Sequence, residues 1–489
     1  MTTFSLSASR VLACLLALGV AASAADSIPR FGVFETAFTG PDKLTDPYRQ
    51  VAVSVTFTGP ASAGSPKVVV DAFWDGGSTW RVRMSPTRLG QWSWRTVSAT
   101  RKLDGLSGRF VCIPSLSDGF LRTDSTKPGL FFRGSKPVFL LGCSGSALSD
   151  FNLKDGSFQK YIDSRLNQGF NCLYSSWLPD LPVNEAGAPF SDLNTLTPNP
   201  VYFQAADQRM YYCRLKGVAP IIGIDLRHKD AEALWHYIIA RYSAFDVVWY
   251  VPPATPNALT PRQAVESIRK FDPYRHPLMT AVKGDEQALA KEPWHDVILA
   301  STIDGDWKAL AELVALGQPV LNNGANLESF PEAETPVPGM PRIDVIRPFA
   351  WRSALAGAYP VYRASGVDPS KAATLNSPGA RTFELLGQFF GQTDWSRMVP
   401  AQDLISRGDA LVRARPDAEY IVWLPQGGPI TLDVSGMKEG FWVQWFDPRT
   451  GKIASSIQLP ARQQLDTQAP DNTNDWVLHL SRVRPRVEQ

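Results

Sequence analysis

The chain is poor in the groups that metals, disulfide frameworks and polyanions call for. Its five histidines and five cysteines are scattered without HxxxH or CxxC spacing, so no zinc pattern is present and neither a metal nor a cofactor is expected. Lysine and arginine (49) nearly balance aspartate and glutamate (47), for a net charge of +2. That balance gives no reason to expect nucleic acid or an anionic membrane as partner. No apolar run approaches the roughly 20 residues of a spanning helix, so membrane insertion is not expected. Internal repeats and low-complexity linkers are missing too.

A chain of 489 residues with 44% hydrophobic content has ordinary globular composition and enough length for several cores. Arg10, the apolar run Val11–Val20 and Ala22-Ser23-Ala24 have the three-part layout of a secretory leader. Cleavage near Ala24 is expected, with the mature chain secreted or periplasmic. Four cysteines would remain, Cys112, Cys143, Cys172 and Cys213. An oxidising compartment permits pairing of Cys143 with Cys172, which fall on neighbouring expected strands.

Over 27–118 the pattern alternates with period two, as in Val51–Phe57, Val68–Trp74, Thr79–Met84 and Gln91–Val97, with Gly-rich turns between. This predicts a β-sandwich, with Trp74, Trp80, Trp92 and Trp94 packing its core. Over 119–400 the pattern changes to continuous apolar runs followed by amphipathic stretches. The runs are Pro137–Leu141, Phe170–Tyr174, Val218–Ile224, Val247–Val251, Pro277–Ala281, Val297–Ala300, Pro319–Asn322 and Ala358–Tyr362. Such runs imply parallel strands covered on both faces, and eight of them over this length predict a (β/α)8 (TIM) barrel. Helix ends are legible as well: Ser157 is placed to cap one helix that Gly169 stops, and Thr260-Pro261 with Gln263 forms a capping box. From 401 to 489 alternation returns, in Ala410–Ala414, Tyr420–Leu424, Ile430–Val434 and Phe441–Phe446, and predicts a terminal β-sandwich.

Several phrases carry a family resemblance. Phe73–Met84 with Gly90–Trp94 resembles the β-sandwich of unknown function that precedes apiosidase-like glycoside hydrolases. Gly169-Phe-Asn171, Ala240-Arg-Tyr242, Asp272–Pro277, Pro319–Asn322 and Asp394-Trp395 resemble the barrel of that family. Trp445–Gly451 resembles its collagen-binding-type C-terminal sandwich. The resemblance covers nearly the whole mature chain. It implies a retaining sugar hydrolase whose acid/base carboxylate ends strand four and whose nucleophilic carboxylate ends strand seven. Retaining hydrolysis needs the two about 5 to 5.5 Å apart.

This chain departs from that pattern at both places. Trp249 is followed by Tyr-Val-Pro-Pro and then Ala254 where the acid/base would stand; Gly324 occupies the nucleophile position, and only the later Glu328 is kept. A third family carboxylate, on strand one, is replaced by Cys143. Polar groups nevertheless crowd the expected strand ends: Trp177 and Asp180, Asp225, Arg227 and His228, Lys283, Asp285 and Glu286, Asp304, Asp306 and Trp307, then Asn322, Asn323 and Asn326. Glu328 and Asp225 are the catalytic candidates, and Trp177, Arg227, His228, Asn322, Asn323 and Trp307 the saccharide-binding ones. Asp306 is placed as a helix cap. Three readings remain open: a carbohydrate-binding pseudoenzyme that takes an oligo- or polysaccharide, an active glycosidase with carboxylates relocated to Asp225, Asp285 or Glu328, and a surface or matrix scaffold.

Overall fold

The computed structural model describes residues 26–144, 156–176, 183–223, 231–252, 260–280, 292, 294–302, 306–324, 327–330 and 343–484. Its centre is a closed barrel of eight parallel strands: β1 (Gly142–Ser144), β2 (Cys172–Ser176), β3 (Ala219–Gly223), β4 (Val248–Val251), β5 (Leu278–Thr280), β6 (Val297–Ala300), β7 (Val320–Asn322) and β8 (Tyr359–Tyr362). β8 pairs with both β7 and β1, which closes the ring. The longer described helices around it are α1 (Ser157–Asn167), α2 (Pro200–Lys216), α3 (Ala231–Tyr242), α4 (Pro261–Phe271), α5 (Trp307–Val314), α6 (Ile343–Ala356) and α7 (Pro378–Phe390). No described helix is long and apolar enough to cross a membrane.

Seven of the eight apolar runs coincide with the barrel strand expected of them. The first does not. Lys136–Val138 instead pairs antiparallel with Phe131–Arg133, which pairs in turn with Leu121–Thr123. The cause is local: Gly134 takes φ +58° in the two-residue turn between them, and such a turn fixes a hairpin. The barrel strand begins only at Gly142. This small sheet closes the N-terminal end of the barrel, where Phe131 packs against Tyr359 and the Tyr359 hydroxyl donates to the Gly129 carbonyl at 3.1 Å.

Helix ends follow the local rules. The α4 capping box is complete, with Thr260 and Gln263 each bonding the other's backbone. Helix α1 differs by one residue, since Gly156 at φ +78° is its cap and Ser157 its first helical residue. Asn199 caps α2 and Gly217, left-handed at φ +72°, ends it.

The N-terminal domain sets a five-stranded sheet against a three-stranded one, and the C-terminal domain a six-stranded sheet against a three-stranded one. Trp80 and Trp92 are wholly buried between the N-terminal sheets, and Trp74 and Trp94 pack partly buried at the edge of the same core. The four described cysteines are buried free thiols. Cys143 is in register with Leu173 rather than Cys172, so the two thiols project from opposite faces of the sheet.

Buried ions join the domains. Arg83 of the N-terminal sandwich donates to Asp207 of α2 at 3.0 Å. Asp207 also accepts from Arg241 of α3 at 2.8 and 2.7 Å, and Arg241 reaches back to Asp75 of the sandwich at 2.9 Å. On the opposite side Arg347 of α6 pairs with Asp475 at 2.7 Å, and buried Arg413 of the C-terminal domain donates to the Ala354 carbonyl of α6 at 2.7 Å. Burial pulls Arg413 down to about 10, with no carboxylate to offset it. Burial alone would raise the Asp207 carboxyl, but Arg241 and Arg83 overcome it and hold the group below the ordinary carboxylate value.

A depressed carboxyl stabilises the fold fully above its unfolded value, near 3.9, and loses that contribution as the pH falls toward its folded value. Asp207→Asn leaves two buried guanidinium groups short of a counter-charge and is expected to lower stability at pH 7 by about 3 to 5 kcal/mol. It should also flatten the acid limb of the unfolding midpoint below about pH 4. Urea titrations across that range check both; an acid limb identical to that of the wild type would locate the pairing energy elsewhere.

Candidate functional site

In a (β/α)8 barrel the groups that can meet one ligand come from the C-terminal ends of the strands. Strand alternation decides which of them face the mouth. On β4, Trp249 turns outward: its indole meets Trp235 of α3 edge-on at 6.1 Å and donates to Asp272 at 3.0 Å. Asp272 also takes the His276 amide at 2.8 Å, so the Asp272–Pro277 phrase is a buttress behind the strand. Tyr250, the next residue, turns inward. Its ring fills the place of a side chain on β3, since a Cβ on Gly223 would lie 2.6 Å from it. It faces Tyr174 of β2 with ring centroids 5.9 Å apart.

Arg363 follows β8 and interacts electrostatically with both tyrosine hydroxyls. Burial raises both phenols, so they remain neutral donors. Among the described residues the Arg363 guanidinium makes one long bond, 3.4 Å to the Gly324 carbonyl, and its buried Nε has no partner. Tyr174, Tyr250 and Arg363 are mouth residues that sequence reasoning did not single out; their place at the ends of the second, fourth and eighth apolar runs was the available signal.

The candidates fall into different places. Asn322 of β7 points into the helix layer and is wholly enclosed. Its amide donates to Thr302 and to Ser353 of α6, both at 2.9 Å, and its carbonyl accepts the Thr302 amide at 3.1 Å. Asn323 is buried with Oδ1 unpartnered among the described residues. Trp307 opens α5 and packs between the main core and a smaller outer cluster. Asp306 caps that helix, accepting the amides of Lys308 and Ala309 at 3.1 and 3.2 Å. Cys143 is buried against Tyr161 and Arg165 of α1, where burial pushes its thiol up. The expected leader 1–24 and the candidates Trp177, Asp180, Asp225, Arg227, His228, Ala254, Lys283, Asp285, Glu286, Asp304 and Asn326 lie outside the described residues.

Glu328 is 0% exposed. Residues 328 and 329 pair with 364 and 365, beyond the end of β8, and the carboxylate is directed at the N-terminus of α7. There it accepts from the Tyr362 hydroxyl, from Ser377 at 2.7 Å and from the Gly379 amide at 3.4 Å. Ser377 is the helix cap, so the acid sits where exposed amides favour negative charge. The fit excludes any side chain at Gly379, whose Cβ would strike the carboxylate and the Tyr362 ring. Arg165 lies over the Tyr362 ring at 5.4 Å, so a buried cation stands behind the same phenol.

Gly324 is closed in another way. A Cβ there would lie 2.7 Å from the Phe349 ring of α6 and 3.3 Å from the Thr302 carbonyl. Any side chain at the position given to the nucleophile by resemblance would be driven against the helix layer.

A family profile described as "Apiosidase-like, catalytic domain" matches residues 130–397, more than half of the chain. Residues 27–99 match a domain of unknown function, and 399–481 match a profile described as "Putative collagen-binding domain of a collagenase". No curated protein matches at a significant level. Among solved structures, one titled "putative glycoside hydrolase" from Bacteroides vulgatus ATCC 8482 is similar with TM-score 0.75 and 17% identity, over 94% of this chain and 100% of that one. A family 5 glycoside hydrolase from the same organism gives TM-score 0.62 and 17% identity, over 74% and 94%. At those identities the likeness concerns the fold.

The steric closure of position 324 makes a direct prediction. Gly324→Ala is expected to cost about 1 to 3 kcal/mol. Combined with Phe349→Leu it should cost less than the sum of the two single changes, with a coupling of about 1 kcal/mol. A double-mutant cycle by denaturant unfolding measures this; additive effects would mean the ring yields freely.

Proposed function

The chain belongs to the apiosidase-like family, and from that premise we propose that it is an exported protein that holds a saccharide in its barrel cleft with hydrolysis lost or strongly impaired. Its glycoside-hydrolase-like fold supports placing the saccharide at the barrel mouth. The observation that carries the reading is the closure of Gly324 by Phe349, because retaining hydrolysis needs a nucleophile at that strand end and an acid about 5 to 5.5 Å away. Among the described rim residues the available carboxylates are engaged elsewhere, Glu328 in the α7 N-terminus and Asp306 in capping α5. By resemblance the acid/base position is Ala254.

The groups facing the mouth suit binding. The Tyr250 hydroxyl donates to that of Tyr174, which leaves the Tyr174 hydroxyl and the Arg363 guanidinium to donate to sugar hydroxyls without transferring a proton to a leaving group, and the tyrosine faces offer apolar contact. On this reading Glu328 and Asn322 hold the strand-seven end in place. Glu328 fixes the chain after β7 to α7, and Asn322 fixes β7 to β6 and α6. Export rests on the leader-like layout of residues 1–24.

Calorimetry of the purified protein against plant-type oligosaccharides, with product analysis on the same samples, tests the proposal. Binding heat without released sugar is expected. Glu328→Gln should lower the melting temperature, reflecting about 1 to 3 kcal/mol, and leave the binding heat unchanged. Release of sugar that Asp225→Asn or Glu328→Gln abolishes would overturn the proposal in favour of an enzyme with relocated acids.

A further inference from the structure

The five-stranded sheet of the N-terminal sandwich turns one face to its core and the other to solvent. Val55, Phe57, Trp92 and Phe110 face inward, while Thr56, Thr58, Ser93, Arg95 and Arg109 alternate outward. The register arranges the outer groups in rows. Thr58 lies opposite both Lys67 and Ser93, and Ser93 opposite Arg109, so one row crosses four strands from Lys67 to Arg109. Arg95 stands in the adjacent row, opposite Thr56. At ordinary strand spacing the first row spans about 14 Å between its two cations.

These side chains line a shallow depression of ≈ 420 Å³, and none of the residues around it is acidic. The contrast within the domain is sharp. Arg81 and Arg83, on the sheet that meets the barrel, are tied to Glu35, Asp75 and Asp207, whereas Lys67, Arg95 and Arg109 are exposed among hydroxyls. A chain with a net charge of only +2 thus concentrates three cations on one face.

We propose that this face binds an acidic polysaccharide, a linear glycan whose sugars carry carboxylates. The span is too long for one small anion to engage every cation, and a polymer lying along the row could meet all of them. Guanidinium groups take carboxylates in bidentate fashion, and the intervening threonine and serine hydroxyls both donate and accept, as sugar hydroxyls require. Single-stranded nucleic acid is disfavoured because Trp92 is buried and Trp94, which lines the depression, is partly buried with its ring packed on Phe38 of the core, so no ring stands free to stack on successive bases. The site is separate from the barrel cleft and does not depend on what that cleft does.

Affinity electrophoresis of the full chain through gels containing alginate, a linear polymer of uronic acids, tests the assignment. Retention is expected at low ionic strength and should weaken with salt. The triple variant Lys67→Ser, Arg95→Ser, Arg109→Ser should lose about tenfold in affinity. The charge-matched variant Lys160→Ser, Arg262→Ser, Lys438→Ser should behave as wild type. No retention by alginate, equal retention by neutral galactomannan or by DNA, or a triple variant retained like the wild type would each overturn the proposal. The triple variant should also keep the wild-type calorimetric response to short neutral oligosaccharides, so failure of the cleft reading and failure of this one are told apart.

Discussion

A guanidinium taken out of water must recover its hydration from the protein, and that constraint governs how the three domains are assembled. Arg83 and Arg241 meet it by sharing Asp207, so that neither the sandwich nor the barrel completes the cluster alone. Arg413 meets it with backbone carbonyls that lie near the end of α6 and at Trp395, available only when the C-terminal sandwich is seated. Apolar contact would tolerate small slips between domains. A buried ion with named acceptors does not, because a displaced acceptor leaves charge without compensation. The orientation of the sandwiches on the barrel is therefore set by a few directional contacts on each side.

The barrel was largely legible in the sequence, since continuous apolar runs at helix-length intervals have few other solutions. What those runs conceal is phase. A strand buried on both faces shows no alternation, so nothing in Val247–Val251 says that Trp249 faces the helices and Tyr250 the mouth. The same loss of phase hid the outward turn of Asn322, which as a polar residue at a strand end reads as a ligand group. The error at Pro137–Leu141 had another origin: a two-residue turn at Gly134 captured the start of an apolar run into a local hairpin.

Glu328 illustrates a different limit. Its place in the chain, four residues past Gly324, puts it near the rim, but its environment is made by Tyr362, Ser377 and Gly379, which are 34, 49 and 51 residues away. Whether an acid is open or enclosed depends on such distant partners, and only assembly of the fold brings them together. Asp225 and Asp285 lie outside the described residues, and the mouth is defined here by Tyr174, Tyr250 and Arg363. Membership in a hydrolase-like family fixes the scaffold; the chemistry rests on which side chains the strand ends present.

The contact between Gly324 and Phe349 has a consequence for how this barrel can change. A side chain at 324 is blocked while the ring stands, and a smaller residue at 349 opens a void in a packed layer while 324 remains glycine. Each single step lowers stability, and the two together cost less than their sum. Sequence drift at this strand end is thus coupled to the helix behind it, and a side chain at 324 is accommodated best where the residue at 349 is smaller.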